Sequence, residues 1–366
     1  MMIKKKATRA LIRFICTLQI GLLLPGLSDA KEINNLKTIF LPPQVHVIST
    51  IPENGDLNPY GVAFVPEGFP EGAIKPGDIL VSNFNDNQNL QGKGSTIVSI
   101  SENDTRSLFF QGSGSPGLTT ALNVLKKGFV LVGSFPTSDG SCATATNGSI
   151  RVINNQGLQV QKIEDPEFIN GPWDSVLVDQ EDTGKLFIAN ALTGTIVRFD
   201  FVVGLNGITI FSKTKIASGY KHECDAVTFV NAPTGLVYDS KKDILYVAST
   251  MDNKIFALYH ASTATNDEGK GVGVFSSKRY LHGPLAMTMA PNGDLIVTNN
   301  DVINPDPNHF SALTEFTPRG EFVKEITLDA NAGAAFGLNL ETVGNKTRFA
   351  AVNDNANSLF VWKLLS

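Results

Sequence analysis

Asp78-Ile79-Leu80-Val81-Ser82-Asn83 is an apolar run of strand length that ends on small and amide side chains. It recurs as Phe129-Val130-Leu131-Val132-Gly133-Ser134, Lys185-Leu186-Phe187-Ile188-Ala189-Asn190, Ile244-Leu245-Tyr246-Val247-Ala248-Ser249, Asp294-Leu295-Ile296-Val297-Thr298-Asn299 and Arg348-Phe349-Ala350-Ala351-Val352-Asn353. A turn and an apolar strand precede each run, as in Asn58-Pro59-Tyr60-Gly61, Gly171-Pro172-Trp173-Asp174 and Gly283-Pro284-Leu285-Ala286. A third strand follows each, at residues 96–100, 149–153, 195–199, 254–259, 312–317 and 358–364. The period of roughly 51 to 62 residues suits four short strands with their loops. Runs apolar on both faces suit sheets stacked against one another around a ring.

These units predict an all-β fold, a six-bladed β-propeller spanning residues 44–366. Small residues at the inner-strand starts suit a crowded central channel. The last unit supplies three clear strands, and residues 45–51 read as a lone strand before the first unit. That strand is expected to complete the last blade, so an N-terminal strand closes the ring and covers the open edges. No amphipathic helix of useful length follows residue 30, which argues against a βαβ fold.

Residues 1–30 read as a signal peptide, with a basic start (Lys4, Lys5, Lys6, Arg9, Arg13), a short apolar stretch and Ser28-Asp29-Ala30 at the expected cleavage point. Residues 31–43 are an N-terminal extension. Cleavage removes five of the 30 basic and one of the 35 acidic residues, leaving a net charge near −9. That balance excludes nucleic acid as a partner and argues against anionic lipid. No second stretch reaches transmembrane length, and a periplasmic or secreted monomer is expected. Cys142 and Cys224 remain after cleavage; they form a disulfide in an oxidising compartment or stay as two buried thiols.

Asn170-Gly171-Pro172-Trp173-Asp174, Leu245-Tyr246-Val247-Ala248-Ser249-Thr250, His282-Gly283-Pro284-Leu285 and Ala290-Pro291-Asn292-Gly293-Asp294-Leu295 resemble the NHL-repeat group of six-bladed propellers, and most of all its exported bacterial members. The resemblance implies the fold; the wider group holds binding modules, strictosidine-synthase-like proteins and calcium-dependent lactonases similar to the senescence-marker protein.

In such a ring the loops after the second strands share a face with the linkers between blades. Three of them are long, at residues 84–95, 135–148 and 300–311, and they outline a mouth where ligands are expected. Tyr60 and Trp173 near inner-strand starts, with Asn83, Asn190, Asn299 and Asn353 ending second strands, are the candidate ligand-binding residues; aromatic rings that cap the core and amides that bond local backbone are the competing account. Asp174 and Asn299 offer oxygen atoms that suit calcium. Asp174, His222 and His282 are the candidate acid–base groups. A lactonase-like site needs several carboxylates at the mouth, yet the positions matching Asp174 in the quoted inner strands carry none. Two readings follow: a binding module for a small molecule, glycan or protein segment, not an enzyme, and alternatively a metal-assisted hydrolase or lyase built on Asp174 and the Asn collar.

Overall fold

The computed structural model describes residue 41 and residues 45–276, 279–299 and 310–365, with residues 364 and 365 described for backbone only. The expected signal peptide and the loop at residues 300–309 lie outside the described residues.

Among the described residues, strand β1 (His46–Ser49) comes first in the chain and last in the ring. The first blade is β2 (Leu57–Phe64), β3 (Ile79–Asn85), β4 (Thr96–Ile100) and β5 (Arg106–Gln111). The second is β6 (Leu118–Leu125), β7 (Phe129–Ser134), β8 (Ser149–Asn154) and β9 (Gln159–Ile163). The third is β10 (Pro172–Asp179), β11 (Thr183–Asn190), β12 (Thr195–Gly204) and β13 (Gly207–Ala217). A short hairpin, β14 (Glu223–Asp225) and β15 (Phe229–Asn231), stands apart from the blades. The fourth blade is β16 (Pro233–Asp239), β17 (Ile244–Ser249), β18 (Lys254–Tyr259) and β19 (Val272–Phe275). The fifth is β20 (Met287–Met289), β21 (Leu295–Asn299), β22 (Ser311–Phe316) and β23 (Phe322–Asp329). The sixth is β24 (Ala335–Val343), β25 (Lys346–Asn353) and β26 (Ser358–Leu365), completed by β1.

Each blade is a four-stranded antiparallel meander, and the six make a β-propeller. The expected clasp is present. β1 pairs antiparallel with β26 in the register His46 to Val361 through Ser49 to Ser358. Thr50 N donates to Asn357 O at 2.9 Å, and Asn58 N donates to Asn357 Oδ1 at 2.7 Å. The first and last blades are therefore stitched by backbone as well as by packing.

The second strands are buried on both faces, as their unbroken apolar runs require. The inner strands crowd so closely that side chains are excluded at two points. A Cβ on Gly337 would lie 1.6 Å from Tyr60 O, and one on Gly235 would lie 1.9 Å from Leu285 O. Neighbouring blades are joined by side chains: Ser82 Oγ donates to Thr119 O at 2.8 Å, Thr119 Oγ1 to Pro172 O at 2.7 Å, and Thr250 Oγ1 to Pro284 O at 2.7 Å.

One contact of the N-terminal extension was not foreseen. Leu41 is buried against the fifth and sixth blades, in a cluster with Leu313, Leu328 and Trp362. Its N–H donates to Glu315 Oε2 at 3.1 Å, and its carbonyl accepts from Lys324 Nζ at 3.2 Å. Glu315, a fully buried carboxylate in β22, thus finds a donor in the extension.

Candidate functional site

The channel mouth, where inner strands begin and second strands end, is filled by aromatic rings. Tyr60 stacks on Phe336 with centroids 4.3 Å apart and on Phe84 at 4.8 Å. Trp173 meets Tyr60 at 5.5 Å, Phe84 at 5.4 Å and Phe135 at 6.1 Å. Phe229, carried in by the separate hairpin, packs on Phe84, Phe135 and Trp173 at 5.1, 5.5 and 5.9 Å. Such pairs each add about 0.5–1.5 kcal/mol beyond area burial. Trp173 is 2 % exposed and serves as core; no face of its ring is open to a ligand. The same is true of most of the Tyr60 ring, whose hydroxyl accepts from Asn58 Nδ2 at 3.1 Å.

The expected Asn collar has a different task. Asn190 Nδ2 donates to Phe168 O and Thr195 Oγ1, and its Oδ1 accepts from Asn170 N at 2.9 Å. Asn299 repeats the pattern with Tyr280 O, Thr314 Oγ1 and His282 N. Asn83 Nδ2 donates to Thr50 O and Thr96 Oγ1. Asn353 Nδ2 donates to Asp329 Oδ2, and its Oδ1 accepts from Ala356 N. In the first three, the carboxamide ties the linker entering a blade to that blade's third strand. The four are at most 2 % exposed and do not face the mouth. His282 is buried in one of these linkers, and His222 holds Tyr220 O through Nδ1 at 3.0 Å.

Asp174 lies deeper, on β10, lining a cavity of about 160 Å³ with Val62, Leu122, Leu236 and Thr288. Its Oδ2 accepts from Leu236 N at 2.8 Å, bridging the third and fourth blades, and its Oδ1 accepts from Ser175 N at 2.8 Å. Burial pushes its carboxyl up to about 7, and those two N–H donors pull against that rise. Calcium takes about six to eight oxygen ligands. Asp174 brings one carboxylate already committed to backbone, and Asn299 brings an amide already committed at both ends. Among the described residues no three His, Cys, Asp or Glu side chains cluster as a metal site. The expected Asp174–Asn299 pair does not fit a calcium ion.

An open crevice lies beside the aromatic plug, between the first and sixth blades. Its volume is about 310 Å³. Carboxamides dominate its lining: Asn58, Asn85, Asn89, Gln91, Asn355 and Asn357. Among the described residues, Asp354 is the one carboxylate that lines it, and no lysine, arginine or histidine does. Tyr60 and Phe336 underlie it, and Val227 and Thr228 at the hairpin tip form a wall. The long loop after β3 is braced against the one after β7, since Thr137 Oγ1 donates to Gln91 O at 2.6 Å. Asn58, near the start of β2, and Asn89, in the loop after β3, are both left-handed at φ 61° and turn the backbone at the rim. The lining amides sit one or more residues beyond the strand-ending Asn residues that the repeat makes conspicuous. Asn-rich loop sequence at residues 85–89 and 353–357 was the available signal.

A larger cavity, about 520 Å³, opens on the opposite face among Glu67, Glu102, Glu341, Arg348 and Lys363. Its charges largely satisfy one another: Arg348 bonds Glu341, and Lys363 lies 3.6 Å from Asp104.

Cys142, in a short 3₁₀ turn after β7 (Cys142–Thr144), is bonded to Cys224 on β14, with Cα atoms 5.5 Å apart. The pair left open by sequence is a disulfide.

No protein-family model matches this sequence, and no curated protein matches it. Solved structures do. A gluconolactonase from Xanthomonas campestris is 12 % identical with TM-score 0.55, over 88 % of this chain and 90 % of that one. A putative gluconolactonase has the same identity and TM-score, over 88 % and 94 %. A putative oxidoreductase, described as a glucose dehydrogenase, from Thermus thermophilus is 12 % identical with TM-score 0.53, over 88 % and 100 %. The chain is a six-bladed propeller with gluconolactonase propellers among its structural neighbours. At this identity the likeness is one of fold.

Proposed function

We propose that this chain is an exported, monomeric binding module. It holds a neutral, hydroxyl-rich small molecule or glycan in the crevice between the first and sixth blades. The observation that carries the reading is the lining: among the described residues, six carboxamides and no cation. A carboxamide carries both donors and an acceptor, which matches hydroxyl groups that need both. Asn58 Nδ2 already donates to the Tyr60 hydroxyl, Asn85 Nδ2 to Asn89 Oδ1, and Asn357 Oδ1 accepts from Asn58 N, so a ligand meets the capacity these bonds leave. An anionic ligand would find, among the described lining residues, one carboxylate and no cation. Export is supported by the disulfide, a bond that persists in oxidising compartments.

Saturation-transfer NMR with methyl glycosides of glucose, galactose, mannose and N-acetylglucosamine tests the reading. Wild type gives transfer from at least one. Asn355→Trp, which fills the crevice from an exposed position, abolishes it without changing the unfolding temperature. Equal transfer in both proteins contradicts the site.

The second reading, a metal-assisted hydrolase or lyase, is favoured by Asp174, whose carboxyl is held near neutrality in a channel cavity. Against it stand the ring plug that closes the mouth above Asp174 and a cavity lining in which, among the described residues, Asp174 is the one carboxylate. Stoichiometric divalent metal in purified protein, lost in Asp174→Ala, would favour this reading over the first.

A further inference from the structure

Hairpin β14–β15 has three residue pairs, Glu223 with Asn231, Cys224 with Val230 and Asp225 with Phe229. A ladder so short does not hold its place by its own hydrogen bonds. Its turn is nonetheless rigid: Asp225 Oδ1 accepts from Val227 N at 2.8 Å and Thr228 N at 2.7 Å, while Thr228 Oγ1 donates to Asn231 Oδ1 at 2.8 Å. The hairpin therefore behaves as a small stiff strap, and two attachments decide where it lies. One is the bond from Cys224 to Cys142 in the second blade's loop. The other is Phe229, whose ring completes the plug and whose backbone is left-handed at φ 68°. A bulky residue keeps that conformation when its surroundings impose it.

We propose that the Cys142–Cys224 bond holds the strap, and with it Val227 and Thr228, as a wall of the ligand crevice. A dithiol reductant would then open the crevice and loosen the plug while the six blades stay folded. The ligand half of this proposal rests on the crevice reading above. Cys224 is exposed and Cys142 is buried, so exchange begins at the accessible Cys224 sulfur. A reductant thiolate attacks it, the Cys142–Cys224 bond breaks, and Cys142 leaves as a thiolate that takes a proton. The reductant's second thiol then displaces Cys224, which also ends as a thiol. Two electrons and two protons pass to the protein, and the reductant departs as its own disulfide. The bond joins a loop to the strap and lies in no blade ladder, so every four-stranded sheet keeps its pairing without it. Ring closure through β1 and β26 is likewise independent of it.

Hydrogen–deuterium exchange on the full chain, oxidised against dithiothreitol-reduced and against Cys224→Ser, reads the strap without any ligand. Reduction is expected to speed amide exchange at residues 223–231 at least tenfold and leave the blade strands unchanged. Unchanged protection at 223–231 would overturn the proposal. So would blade strands losing protection together with the strap, since the bond would then be a staple of the whole ring. With a methyl glycoside that binds the oxidised protein, affinity should fall at least tenfold on reduction. Unchanged affinity beside a loosened strap would overturn the wall role. Absence of glycoside binding to the oxidised form would count against the crevice reading, and the exchange data would still decide the strap.

Discussion

Asp174 occupies the inner-strand position that Gly61, Ala121, Gly235, Ala286 and Gly337 fill in the other blades. A carboxylate there is costly to ionise, and its upward shift to about 7 has a definite consequence. The folded carboxyl binds its proton more tightly than the ordinary value of 3.8. Its contribution to stability is therefore full below that value and is lost as pH rises through about 7. Asp174→Ala should gain stability relative to wild type between pH 5 and pH 8, by a few kcal/mol. Thermal melts of both proteins across that range measure it; a constant difference would mean that Asp174 titrates normally. The Asn residues make the opposite case. Asn190→Ala removes bonds to Phe168 O, Thr195 Oγ1 and Asn170 N. Its expected cost is about 2–4 kcal/mol, read from the urea midpoint. These side chains were legible as strand ends. Their direction was not, because a sequence does not say whether an amide finds backbone or solvent first.

Strands were the most legible elements. Each second strand is apolar on both faces and so announces itself without reference to the rest of the chain. The clasp was legible by counting strands against ends. Deleting residues 44–51 removes β1 and exposes the edge of β26. The melting temperature should fall by roughly 10 °C; an unchanged melt would show that the ring closes without the clasp. The strap was hidden because its ladder of three pairs is too short to produce a pattern. Cys224 and the run Thr228-Phe229-Val230 were the marks it left. Leu41 was hidden for a different reason: its partner Glu315 lies 274 residues away, and nothing local links the two. A charge inside the apolar run Ala312-Leu313-Thr314-Glu315-Phe316 was the sign that something distant must meet it.

At the scale of the whole molecule, a ring plugged by six aromatic rings leaves its mouth shallow, and the proposed recognition site lies to one side, over the seam between first and last blades. That seam is where the chain closes, and there the loops of the first blade, the sixth blade and the strap converge on one crevice. If the protein is exported as read, intact mass of the mature form should correspond to a chain beginning at Lys31; retention of residues 1–30 would contradict it. The lopsided mouth was expected from loop lengths. The place of the crevice was not, because it depends on the strap crossing to the seam.

The most direct test of the binding account is amide chemical-shift mapping of the full chain with the methyl glycoside that gives the strongest saturation transfer. The account predicts perturbations gathered at residues 57–58, 85–91, 227–228, 333 and 354–357. Perturbations gathered instead around Asp174 in the lower channel, or on the opposite face around Arg348, would contradict it.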